Sequence, residues 1–201
     1  MTSFSGIAGI ARLWVLFSWL GWLLLFLGHK KPKKEASVRR APAARVGIAL
    51  QALSFFPPWW LRTESFPASA LPAPLLWLSC LLAMLVAAAA VGMAVAARRE
   101  LGKQWSYEAR LVEGHRLVVG GPYAHVRHPI YSAMLGMLLA TGLTFGVWWS
   151  LLIALPIYAA GAAIRVRAEE RLLQAAFGED FEAYCRYVPA ILPRWKVRSS
   201  T

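Results

Sequence analysis

Between Gly120 and Tyr131 the chain reads GGPYAHVRHPIY, and at Glu169 and Glu170 two carboxylates stand side by side within IRVRAEERLLQAAFG. These two stretches hold the residue types best suited to chemistry. Arg127 and His128 offer cationic donors just ahead of Pro129, a residue suited to the first position of a helix, where its missing N–H costs nothing and the helix dipole is positive. Such a start, with Arg127 beside it, is a ready anion site. Ahead of it, Gly121 can take a positive φ and Pro122 fixes its own, so the backbone can reverse or run close to a flat ligand with Tyr123 alongside. Glu169 and Glu170 supply the opposite charge. A ligand that is itself zwitterionic would suit both stretches.

Each stretch also has a plain structural reading. Arg127 can snorkel to a lipid phosphate while His128 caps the helix. Arg165 precedes Glu169 by four residues and Arg167 precedes Glu170 by three, the spacing of weak surface ion pairs on a helix. Adjacent glutamates on a helix point about 100° apart, so at most one is expected to face a site squarely unless the ligand spans both. The functional reading depends on whether the elements between them bring the two stretches together.

Those elements are apolar. With 58% hydrophobic residues, ten Trp and only 16% charged residues in 201, the chain carries more apolar surface than a water-soluble core of this size can hide. Gly6 to Gly28 carries one charge, Arg12, and at about 1.5 Å per residue is long enough to cross a hydrocarbon layer of roughly 30 Å. No basic segment precedes it and further apolar segments follow, which favours a membrane span over a signal peptide. Val46 to Leu61, interrupted by Pro57 and Pro58, is the second segment, and Ala73 to Ala97 the third. Pro129 to Val166 is too long for one crossing and breaks near Thr141 to Gly146, which predicts a helical hairpin over 129–166. The expected fold is all-α: a polytopic membrane protein with about five transmembrane helices, the fourth and fifth short, plus a cytoplasmic loop and a C-terminal helix.

Charge supports that count. The basic residues gather in 29–45, in 98–128 and after Ile164, while the loop from Arg62 to Pro72 carries only Arg62. Five crossings with the N-terminus outside place all three basic segments on the cytoplasmic face, as the positive-inside tendency requires. The formal charge of +12 therefore reads as topology, with membrane lipids as the nearest partners and no nucleic acid. Cys80 falls inside the third span and Cys185 on the cytoplasmic side, so no disulfide is expected. The small residues from Ala87 to Ala97, including Gly92, predict close helix packing. A hairpin over 129–166 returns Glu169 and Glu170 to the face where Arg127 and His128 begin it, so the polar stretches should converge.

The run HRLVVGGPYAHVRHPIY from His115 to Tyr131, followed by EERLLQAAFGEDFEAYCRYVPAILP from Glu169 to Pro193, resembles the isoprenylcysteine carboxyl methyltransferase family and its relatives among the phospholipid methyltransferases. The resemblance rests on ordered features: His, Leu-Val, Gly-Pro-Tyr, Arg-His-Pro-x-Tyr, an apolar hairpin, Glu-Glu, Phe-Gly and a terminal Val-Pro. It covers the chain from about Leu101 onward. It implies an integral-membrane enzyme that uses S-adenosylmethionine and releases S-adenosylhomocysteine, and a division into 1–100, the N-terminal helices on the acceptor side, and 101–201, the cofactor-binding catalytic region. By the same resemblance His115, Gly121, Pro122 and Tyr123 lie in the cofactor loop, and Arg127, His128, Pro129 and Tyr131 shape the cofactor pocket. Glu169 and Glu170 hold the cofactor's methionine end, and Arg127, His128 and Glu170 are the catalytic candidates. Ala133 stands where relatives often have Gly, and Phe181 where they often have Tyr.

Residue chemistry agrees with this. S-adenosylmethionine presents a carboxylate, an ammonium, an adenine and a sulfonium, which ask for cationic donors, carboxylates, a backbone edge and aromatic faces. Methyl transfer is an in-line displacement dominated by positioning and desolvation, and a carboxylate acceptor needs no base, whereas a phenol or amine would draw on His128 or a glutamate. The expected acceptor is lipophilic and arrives from the bilayer. Its selection falls to the N-terminal helices and to Arg186, Tyr187, Arg194 and Trp195, the last two equally suited to anchoring at the membrane interface. Four histidines in all are too few for a membrane di-iron cluster. The competing reading is a non-catalytic small polytopic membrane protein, a scaffold or transporter, although spans nearly free of ionisable residues speak against transport.

Overall fold

The computed structural model of the chain describes residues 2–27, 39–40, 44–60, 72–102, 110–111, 116–145 and 149–193. These residues are almost wholly helical: α1 (Thr2–Leu27), α2 (Ala44–Leu53), α3 (Phe56–Trp60), α4 (Ala73–Leu101), α5 (Pro129–Thr144), α6 (Ser150–Phe177) and α7 (Glu179–Tyr187). Two short strands, β1 (Arg39–Arg40) and β2 (Arg110–Leu111), pair antiparallel. Three helices are long and apolar enough to cross a membrane, α4, α6 and the Gly6–Leu27 part of α1, while α5 is apolar but shorter.

Two segments differ from the sequence-based expectation. Val46 to Leu61 is not one interrupted helix, because the break falls at Ser54 and Phe55 rather than at the prolines. Ser54 closes α2 by donating its hydroxyl to the Gln51 carbonyl at 2.6 Å, and Pro57 and Pro58 then sit in the first turn of α3, where missing N–H groups are harmless. The returning arm of the hairpin is not short. It runs as α6 to Phe177 and stops only where Gly178 takes φ 51°.

Packing follows residue size. Along α4, Cys80, Ala83, Ala87, Ala90, Ala94 and Ala97 recur at helical spacing and are all buried, and three of them meet Ala133, Met137 and Ala140 of α5 and Val15 of α1. The close-packing surface is thus this alanine row; Gly92 lies off it, exposed and with nothing within 4 Å of the position its side chain would occupy. Ala133, in place of a glycine, is itself buried in this contact. Ser79 donates to the Leu143 carbonyl at 3.1 Å, pairing the start of α4 with the end of α5. The two helices are therefore antiparallel, and the last turn of α4 lies beside the start of α5. Trp14 and Trp19 of α1 lock onto this pair, through the Met84 carbonyl and the Thr141 hydroxyl, each at 3.1 Å.

On the other side α2 crosses α6 glycine against glycine: a Cβ on Gly161 would stand 2.8 Å from the Gly47 carbonyl oxygen and 2.9 Å from the Gln51 nitrogen. Only hydrogen at both positions allows backbones this close. Outward-facing Leu, Phe and Trp side chains cover α1 and α4, the surface expected of helices solvated by lipid tails.

Candidate functional site

The site is built where the end of α4, the start of α5 and the polar half of α6 meet. Its first component is the turn. Gly121 takes φ 55° and opens a single 3-10 turn through Ala124, closed by the Tyr123 N–H donating to the Gly120 carbonyl at 3.0 Å. The expected turn is thus present. Glu100, from the last turn of α4, lies directly against it: a Cβ on Gly120 would come within 2.6 Å of Glu100 Oε1, and one on Gly121 within 3.1 Å of Oε2. The two glycines leave room for a third carboxylate, which nothing in the sequence separates from the neighbouring Arg98 and Arg99. Tyr123 is buried beneath the turn, and its carbonyl accepts the Tyr184 hydroxyl at 2.6 Å. Burial raises the Tyr123 phenol and pushes Tyr184 up to about 12, so both remain neutral donors.

The second component is the start of α5. Pro129 opens the helix with His128 at its N-cap position, as the proline dictates. The N–H groups of Arg127 and His128 do not face a ligand, since they donate to the carbonyls of Pro189 and Ala190, each at 2.8 Å. Ser132 adds a bond to the Ile191 carbonyl at 2.5 Å, and the Arg127 guanidinium adds contacts to the Val188 and Cys185 carbonyls. The Val-Pro stretch after α7 is therefore a latch across the helix start, a role its sequence did not disclose.

The third component is the glutamate pair, and both members converge on His128. Its Nε2 lies 3.2 Å from Glu170 Oε1 and its Nδ1 3.5 Å from Glu169 Oε2. Both glutamates were expected to serve one site only where a single group spans them, and here His128 is that group: an imidazole presents two nitrogens on opposite edges and bridges both carboxylates. Arg127 closes on Glu170 Oε1 through Nε and Nη2, each at 2.8 Å. Tyr131 donates its hydroxyl to Glu169 Oε1, its ring stacked on the His128 ring at 5.3 Å. Arg165 reaches the same Glu169 oxygen at 3.3 Å, the pairing its spacing suggested, with its guanidinium 4.7 Å above the Tyr131 ring. Tyr158 supports the group from α6 by donating to the Tyr131 carbonyl at 2.5 Å.

Electrostatics then decide the state of His128, which is only 7% exposed. Burial alone would lower the imidazole's pKa, but its bonds to Glu169 and Glu170 and the charge of both outweigh it, and the net shift is upward. With its pKa raised and a carboxylate beside each nitrogen, the ring is a clamp rather than a free base. Among the described residues the contacts to Glu170 within the cluster fall on Oε1, so Oε2 is the oxygen the cluster does not use.

Arg127, His128, Tyr131, Glu169 and Glu170 are thus gathered into one cluster, with Pro129 buried behind them and Gly121, Pro122 and Tyr123 in the adjoining turn. His115, Arg194 and Trp195 lie outside the described residues. Phe181, where a tyrosine was the pattern, is buried against Tyr184. Among the described residues no group of three or more His, Cys, Asp or Glu is placed to hold a metal ion.

The fold and site define a helical protein of membrane-spanning composition whose polar residues are concentrated at one end of the bundle. The chain belongs to the phospholipid methyltransferase family, which it matches over residues 78–180. Over 122 residues it is 34% identical to the cobalt-zinc-cadmium resistance protein CzcN of Cupriavidus metallidurans, a stretch covering 59% of this chain and 52% of that relative. Over 79 residues it is 34% identical to the protein-S-isoprenylcysteine O-methyltransferase of Schizosaccharomyces pombe, covering 39% of this chain and 34% of the relative. The matched stretches therefore take in about half of one relative's length and a third of the other's.

Proposed function

We propose that this chain is an integral-membrane methyltransferase that transfers a methyl group from S-adenosylmethionine to a lipophilic acceptor. The observation that carries the reading is the convergence of Arg127 and His128 with Glu169 and Glu170 beside the Gly121 turn. Family membership and the methyltransferase activity of the Schizosaccharomyces pombe relative support it.

The donor set fits the cofactor. Glu170 Oε2 and the Glu100 carboxylate can accept from an ammonium or a ribose hydroxyl, while Arg127 and protonated His128 keep the cluster from repelling a carboxylate. When bound, the cofactor supplies a methyl group on a sulfonium. The protein's part is positioning: His128 and Arg127 fix Glu170, Tyr131 and Arg165 fix Glu169, and the latch after α7 holds the start of α5 in place. With both ring nitrogens engaged, His128 takes no proton from the acceptor, which suits an acceptor already anionic. The acceptor's apolar part would lie in a groove of about 430 Å³ lined by Trp19, Trp22, Ala52, Phe55, Trp59 and Met134, the last one helical turn beyond Tyr131 on α5. The N-terminal helices would thus serve the acceptor and the region from 101 onward the cofactor. Five crossings, counting α2 with α3 and the short α5, with the site facing the cytoplasm, complete the proposal.

Titration calorimetry in detergent with S-adenosylhomocysteine tests it. A saturable site is expected; His128→Ala and Glu170→Ala lose most of the affinity and Arg198→Ala keeps it. Folded protein that binds nothing would return the chain to the scaffold or transporter reading, and equal, near-normal binding in all three variants would remove the site assignment. Membranes incubated with a radiolabelled methyl donor would then reveal the acceptor as the labelled lipid.

A further inference from the structure

Arg165 is the link between the glutamate cluster and the rest of the bundle, and what holds Arg165 comes from α2. Gly47 and Gln51 lie four residues apart, on one face of that helix. A Cβ on Gly47 would stand 2.5 Å from Arg165 Cγ, so the absent side chain is the space through which the arginine stem passes. Gln51 meets its head: Arg165 Nη1 donates to Gln51 Oε1 at 3.5 Å, while Nη2 goes to Glu169 and the guanidinium plane covers the Tyr131 ring.

Packing alone does not account for Gln51. The residue is 1% exposed, and its amide lies against the Tyr158 hydroxyl as well as the Arg165 guanidinium. A buried amide is costlier than a Leu or Met of similar volume unless its polar atoms are used. What an apolar residue could not do is present an oxygen to a guanidinium, which only donates. The Gly47–Gly161 crossing brings that oxygen into reach by letting α2 lie directly on α6.

We infer that Gln51 is a positioning residue of the cofactor site: it orients Arg165, Arg165 fixes the Glu169 carboxylate, and α2 thereby sets cofactor affinity from outside residues 78–180, the part shared with the family. The inference rests on the proposed cofactor reading for its readout. It extends the site beyond the motif-bearing half of the chain.

The test is a double-mutant cycle on the full-length protein in detergent, read as S-adenosylhomocysteine affinity. Gln51→Leu is expected to weaken binding about tenfold, the loss of one hydrogen bond to a charged group. Gln51→Glu, which keeps an acceptor oxygen at the same reach, should retain most of the affinity. In an Arg165→Gln background, Gln51→Leu should cost nothing further. An unchanged Gln51→Leu, or the same loss in both backgrounds, would overturn the inference. Should Gln51→Leu fail to fold, Gln51→Met removes the oxygen while filling the same space and takes its place in the cycle. If the wild type binds no cofactor at all, the functional reading falls instead. The same cycle on thermal unfolding midpoints then decides the Gln51–Arg165 link, with additivity against it and non-additivity for it.

Discussion

At the scale of single residues, His128 carries the most consequence. Its two ring nitrogens meet two carboxylates, and its raised pKa keeps it protonated where a free imidazole, with an ordinary value of 6.5, has begun to lose its proton. A group whose folded pKa is raised binds its proton more tightly in the folded state. It therefore contributes stability that is fully present below pH 6.5 and is lost as pH rises through the folded value. Wild type and His128→Gln should accordingly differ most in thermal midpoint just below pH 6.5, with the gap closing toward alkaline pH. A gap that instead widens as pH rises above about pH 5, where ordinary carboxylates are already ionised, would show that the imidazole is held neutral, and a gap independent of pH would show no shift at all. Much of this was legible in the sequence: proline stereochemistry placed His128 at the helix start, and the apolar hairpin length brought back the glutamates. The bridging itself was not, because it depends on which edge of the ring each carboxylate reaches.

At the scale of elements, close approach is decided by a few small residues, and a sequence does not say which of several will serve. Gly92 and Gly161 both sit inside apolar helices. Only Gly161 is pressed against a neighbour, with the Gly47 oxygen 2.8 Å from where its Cβ would be. Gly161→Leu should therefore lower stability by about 1–3 kcal/mol, the usual range for overpacking, and should weaken cofactor binding as the Arg165 support opens. Gly92→Ala, meeting nothing within 4 Å, should leave the thermal midpoint unchanged or slightly raised. Equal losses from the two would deny the crossing its special role. The length of α6 follows the same logic. Arg165, Glu169 and Glu170 look like the end of a membrane helix, yet Arg165 pairs with Glu169 within the helix and Arg127 takes Glu170 from outside it. Charges so matched let the helix continue to Gly178.

At the scale of the whole molecule, the polar end of the bundle and the distribution of basic residues both favour the proposed orientation. Glu100, Arg127 and Arg165 lie together at the site, continuous in sequence with the basic segments 98–128 and after Ile164, and 29–45 follows α1 directly. Single cysteines introduced into each of these three segments of a chain freed of Cys80 and Cys185 should all label from the cytoplasmic side of sealed vesicles, and one in 62–72 from the other. A basic segment labelled from the opposite face would break the five-crossing proposal. By itself the sequence determined which stretches are apolar helices, where the helix at Pro129 starts, and that two polar stretches share one end, because hydropathy and proline geometry act over neighbouring residues. Only the tertiary structure decided that Glu100 lines the glycine turn, that the segment after α7 latches the site, and that Gln51 reaches Arg165. Each of these contacts joins residues far apart in the chain, and two of them depend on positions that tolerate no side chain, Gly120 and Gly121 at the turn and Gly47 and Gly161 at the α2–α6 crossing.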